Sequence, residues 1–95
     1  MATRNMTLTD FSGRTGKTFD VHVAGQCLPL TLAAAQELPG SGRTGGSFRL
    51  EFLGPHDPML AQGIFPFVIG DERFEIFIVP IGQDARGTRY EAIFF

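Results

Sequence analysis

Residues Phe48 to Phe52 read apolar, charged, apolar, charged, apolar. Phe48, Leu50 and Phe52 alternate with Arg49 and Glu51. A two-residue period puts the apolar set on one side of an extended strand and the charged set on the other, which no helix can do. The pattern recurs. Phe19, Val21 and Val23 alternate with Asp20 and His22, and Leu28, Leu30 and Leu32 alternate next. The segments 64–69, 74–81 and 90–95 are apolar enough for three further strands.

Twelve Gly and six Pro punctuate these segments. Gly25-Gln26, Gly54 to Pro58, Gly70-Asp71 and Gly82 to Gly87 are predicted turns, and residues 39–46 a connection. Ala33 to Leu38 has helix-forming residues but is too short to hold a helix alone, so it is read as the end of a strand. Leu8 to Phe11 starts a short helical segment, with Thr9 or Asp10 as its cap. The expectation is one all-β domain over 1–95: about six strands in an antiparallel meander, closing into a small barrel or sandwich. Gly13-Arg14-Thr15-Gly16 recurs as Gly42-Arg43-Thr44-Gly45. Both coincidence and two equivalent loop–strand units account for this echo.

Composition narrows the function classes. Of 95 residues, 43 % are hydrophobic and 19 % charged, too apolar a balance for a disordered chain. Seven Arg and one Lys are scattered among ten acids for a net charge of −2, which gives no basic face for nucleic acid. No apolar run approaches the length of a membrane helix, and the few short strands fall below a membrane β-barrel. MATRNMTLTD lacks the pattern of a signal peptide, so the expected location is cytoplasmic. The ten Phe with no Trp point to dry interior.

No chemical motif is complete, and no cofactor or metal is expected. Gly13-Arg14-Thr15-Gly16-Lys17-Thr18 resembles a phosphate loop, but two residues stand between its glycines where four are needed, and a strand pattern follows. His56-Asp57, between two prolines, are the weak candidates for general-base work, without an accompanying serine elbow. Cys27, the one cysteine, reads as a small filler beside a turn. Asp71, Glu72, Glu75, Asp84 and Glu91 read as members of cross-strand ion pairs.

One more pattern carries function. From Phe74 to Ile81, Phe74, Ile76, Ile78 and Pro80 take one face, and Phe77, Val79 and Ile81 join Glu75 on the other. Both faces cannot enter one core. Segment 64–69, with Phe65 and Phe67, repeats the conflict, as do Ile93 and Phe95. Phe65, Phe67, Phe77, Val79 and Ile81 are therefore the expected interaction surface, covered by a second copy in a homodimer or by a protein partner.

The strings Phe48-Arg49-Leu50-Glu51-Phe52-Leu53-Gly54-Pro55, Leu60-Ala61-Gln62-Gly63-Ile64-Phe65, Ile76-Phe77-Ile78-Val79-Pro80-Ile81-Gly82 and Tyr90-Glu91-Ala92-Ile93-Phe94 resemble a family of bacterial domains of unknown function. Thr9-Asp10-Phe11 and Gly16-Lys17-Thr18-Phe19 fit its N-terminal pattern. The resemblance implies a stand-alone fold, no catalytic residues and a leaning towards an accessory of a tail-like or surface assembly, since some members lie near phage-tail-collar-like proteins. The expected function is a non-enzymatic structural or protein-interaction module. The alternatives are a small-molecule-binding β-barrel and a small hydrolase using His56, Asp57 or Cys27.

Overall fold

The computed structural model describes residues 6–38 and 47–94. It is all-β apart from one helical turn, α1 (Thr9–Ser12). Six strands follow: β1 (Thr18–Val23), β2 (Gln26–Leu38), β3 (Ser47–Gly54), β4 (Gly63–Ile69), β5 (Glu72–Asp84) and β6 (Gly87–Phe94). Every neighbouring pair is antiparallel. The sheet closes in the order β1-β2-β3-β6-β5-β4.

That order departs from a simple meander. Strands β1–β3 form one three-stranded unit and β4–β6 a second, joined through β3–β6 and β1–β4. The two units match in proportion: β2 and β5 have 13 residues each, β3 and β6 eight each. Both long strands carry a register shift, between Leu32 and Ala34 and between Pro80 and Gly82, which bends them around the closed sheet. The architectural repeat thus relates β1 to β4, not β1 to β3 as the Gly-Arg-Thr-Gly echo implies. The second copy of that echo and the 39–46 connection lie outside the described residues.

The β3–β4 link cannot be a hairpin, because those strands are not neighbours. Residues 55–62 instead cross one end of the sheet and drop Leu60 into the interior. The Thr88 hydroxyl donates to the Pro55 carbonyl at 2.9 Å, and the Gln83 amide donates to the His56 carbonyl at 2.8 Å, tying this loop to β5 and β6. At α1, Phe11 is fully buried and its ring lies 5.1 Å from that of Phe74. Leu8 stands at the N-cap, and Asp10 accepts the Thr7 N–H at 2.9 Å, so Asp10 acts from inside the turn rather than as its cap.

Between these two elements the interior is filled. Phe19, Val21, Leu30, Leu32, Phe48, Leu50, Phe52, Phe67, Ile76, Ile78 and Tyr90 are fully buried. Rings of Phe19, Phe52 and Phe67 meet at 4.8–6.2 Å in tilted or edge-on geometry.

The alternation of the sequence is realised with shifted turns. The first hairpin turns at Ala24-Gly25, with φ of 49° and 82°, not at Gly25-Gln26. Positive φ at both central residues matches the right-handed twist of the flanking strands. β5 continues through the expected Gly82–Gly87 turn as far as Asp84, leaving Ala85-Arg86 at the tip. β6 accordingly begins at Gly87 rather than Tyr90.

Candidate interaction surface

Side chains alternate in and out along each strand, so the inward sets of β4 and β5 fix what faces outward. On β5, Phe74, Ile76 and Ile78 enter the core, and Phe77 and Ile81 are 49 % and 50 % exposed, with Val79 half-buried beside them. This is the partition the sequence predicts. On β4 the assignment is corrected. Phe67 is 0 % exposed, and Phe65 is partly buried against the core. The outward residue is Ile64, at 65 % exposure. The physical reason is register: Phe67 pairs with inward Phe74, and Ile64 pairs with outward Phe77. Phe95 lies outside the described residues, but Ile93 of β6 is 43 % exposed.

Ile64, Phe77 and Ile93 thus form an apolar row across β4, β5 and β6, with Val79 and Ile81 beyond it along β5. A shallow groove of about 250 Å³ runs between Phe77, Val79, Glu91 and Ile93.

Charges border the row on both sides along the strands. On one side Arg73 donates to Glu75 at 2.9 Å. On the other, Arg89 donates to Asp84 and to Glu51, each at 3.0 Å. Glu51 and Glu91 are direct cross-strand partners on β3 and β6, a like-charge pair that Arg49 bridges, donating to Glu91 at 2.9 Å and to Glu51 at 3.1 Å. Burial draws the Arg49 pKa down, but its hydrogen bonds to Glu91 and Glu51 outweigh that and hold it above its ordinary value. Asp84 is held below its ordinary value by the backbone N–H of Arg86 and then by the Arg89 guanidinium.

The other sequence candidates do not converge. His56 and Asp57 are exposed on the end-crossing loop, where the His56 ring meets the Asp84 backbone carbonyl. Lys17 is exposed and enters a strand. Glu72 pairs with Arg14 and Glu75 with Arg73 on its own strand, while Glu91 pairs with Arg49 across strands. Cys27 is exposed rather than a filler, and lies 3.5 Å from His22, its cross-strand partner. Sequence reasoning missed that pair because it set the hairpin turn one residue late. It also missed Leu60 and Tyr90, since a loop leucine carries no periodicity. Among the described residues, no group of three His, Cys, Asp or Glu is placed to hold a metal, and no helix is long and apolar enough to cross a membrane.

The family described as a domain of unknown function, DUF6916, matches residues 6–94, and the chain belongs to it. No curated protein and no solved structure matches the chain significantly.

Proposed function

We propose that this DUF6916 domain is a non-enzymatic protein-interaction module that docks through the outer face of β4, β5 and β6. One observation carries the reading: the two halves of the sheet match in architecture but not in outer chemistry. In the first half the outward positions carry Asp20 and His22 on β1, Thr31 and Gln36 on β2, and Arg49 and Glu51 on β3. The equivalent strands of the second half carry Ile64, Phe77, Val79 and Ile93 among the outward charges Arg73, Glu75, Arg89 and Glu91. A polar outer face satisfies the fold in one half, so folding does not require an apolar one in the other. Large exposed apolar side chains on a monomer are costly to keep unless something covers them.

The mode of docking follows from closure. Among the described residues each strand has a neighbour on both sides, β1 and β4 meeting at Asp20–Val68 and Val21–Phe67, which favours a partner that meets the face of the sheet over one that adds a strand. The interior supports this reading over a ligand-binding barrel. The side chains of Phe19, Phe52, Phe67 and Tyr90 occupy the space a ligand would need, and Phe11 and Leu60 stand at either end. The family resemblance extends the proposal to a role as an accessory of a bacterial tail-like or surface assembly.

Two substitutions test it. Phe77→Asp is expected to keep the melting temperature of the parent while abolishing association with any partner. Phe67→Asp is expected to unfold the domain. A Phe77→Asp protein that is strongly destabilised, or that associates as the parent does, contradicts the reading.

A further inference from the structure

We propose that His22 and Cys27 form a two-donor site for a thiophilic divalent cation, with Zn2+ as the ion of best fit, on the outer face of the β1–β2 hairpin. The site stands apart from the docking reading, since β1 and β2 lie in the other half of the sheet.

The turn brings the two side chains together. With Ala24 and Gly25 as its central residues, Val23 and Gln26 form the hydrogen-bonded pair that closes the hairpin. Hydrogen-bonded and non-hydrogen-bonded pairs alternate along an antiparallel ladder, so His22 opposite Cys27 is a non-hydrogen-bonded pair. Side chains stand closest at such pairs. Both residues are exposed, on the side of the strands opposite buried Phe19, Val21 and Leu30. The Cys27 sulfur lies 3.5 Å from Nδ1 of His22 and 3.9 Å from Nε2.

That separation is the bite of a tetrahedral zinc ion. A Zn–S bond of about 2.3 Å and a Zn–N bond of about 2.0 Å, at the tetrahedral angle, set sulfur and nitrogen about 3.5 Å apart. Neither strand has to move, because a turn of the exposed imidazole about χ2 aims a ring nitrogen at the ion. Free cysteine is usually buried as a small apolar group, whereas Cys27 stands in solvent with a metal-ligating partner in reach. A thiolate paired with an imidazole selects zinc-like ions over magnesium and calcium, which take oxygen donors.

The surroundings favour a cation. Residues 18–31 hold Asp20 and no Lys or Arg, and Asp20 stands on the same face as His22, opposite Pro29. On binding, the Cys27 thiol releases its proton to solvent and donates the freed electron pair to the ion. His22 donates from a neutral ring nitrogen, and water leaves the hydrated ion. Among the described residues no third His, Cys, Asp or Glu joins them. The remaining positions of the ion stay open to water or to a donor from another molecule, so the ion is exchangeable rather than part of the fold.

Untagged, reduced protein titrated with Co2+, a coloured stand-in for zinc, tests the site. The expected result is one ion per chain with a thiolate-to-metal charge-transfer band, displaced by Zn2+. Cys27→Ser should abolish the band. His22→Ala should weaken binding by more than about tenfold, since even the outer-shell partners of a metal are worth that much. His56→Ala removes the chain's other histidine and should bind as the parent does. Both donors are exposed, so their substitution should leave the melting temperature at the parent's. A second readout does not depend on colour: Zn2+ should slow alkylation of Cys27 by iodoacetamide in the parent and barely change it in His22→Ala. An ion bound equally well by Cys27→Ser, no binding at millimolar Co2+ or Zn2+, or equal protection of Cys27 with and without His22 overturns the proposal.

Discussion

The Tyr90 hydroxyl accepts the backbone N–H of Leu60 at 2.8 Å, and both groups are buried. The bond pins the end-crossing loop to β6 at the one point where the loop enters the core. Tyr90→Phe keeps the ring but leaves that N–H without its partner. The expected loss is about 1–3 kcal/mol, the cost of a buried orphaned donor, read by urea denaturation. An unchanged midpoint means the loop holds without this bond.

Gly87 is fixed by a close approach. A Cβ there would stand 2.0 Å from the Gly54 carbonyl oxygen, and its φ of +147° disfavours any L side chain. Gly87→Ala is expected to cost more than about 2 kcal/mol, because backbone must shift rather than a side chain. Gly13→Ala is the control. A Cβ there meets nothing within 4 Å, and the change should fall within about 0.5 kcal/mol. Thermal melts of the two variants check the contrast.

Arg49 holds two carboxylates that would otherwise repel. Its side chain is 20 % exposed, and Glu51 and Glu91 face each other across β3 and β6. Arg49→Gln should cost about 1–2 kcal/mol, since it removes the charged bonds to both carboxylates and leaves a like-charge cross-strand pair. Adding Glu51→Gln should recover part of that loss. A double-mutant cycle with no coupling between positions 49 and 51 contradicts the bridging role.

Asp84 should titrate below 3.8, the usual value for its carboxyl, because the Arg86 N–H and then the Arg89 guanidinium favour the charged form. A carboxyl whose pKa is lower folded than unfolded stabilises the fold above the unfolded value. That contribution is lost as pH falls through the folded value. Asp84 therefore weakens the β5–β6 tip only in strong acid, and Asp84→Asn should flatten the pH dependence there. Carbon-detected NMR titration of the Asp84 carboxyl measures the midpoint directly, and a midpoint above 3.8 contradicts the assignment.

Much of this was legible from alternation alone. The partition of β5 into Phe74, Ile76 and Ile78 against Phe77, Val79 and Ile81 needs only a two-residue period. Alternation cannot choose which parity faces in when both are apolar, and on β4 the choice of Phe65 and Phe67 as the outer set came out reversed. The pairing Phe67–Phe74 decides it, and that is a long-range fact. The strand order was hidden for the same reason. Short turns suggest a meander, and nothing local to residues 55–62 says that they cross the sheet's end. The ion pairs were visible as a class, but Glu91 finds Arg49, 42 residues away, rather than a neighbour in sequence.

The central claim is that Phe77 lies at the middle of a docking face rather than on an idle surface. Light scattering across a micromolar concentration series, on the parent and on Phe77→Asp, tests it most directly. Phe77→Asp is expected to keep the parent's melting temperature and to lose any concentration-dependent rise in mass that the parent shows. A Phe77→Asp protein that melts well below the parent, or whose mass rises with concentration as the parent's does, contradicts it.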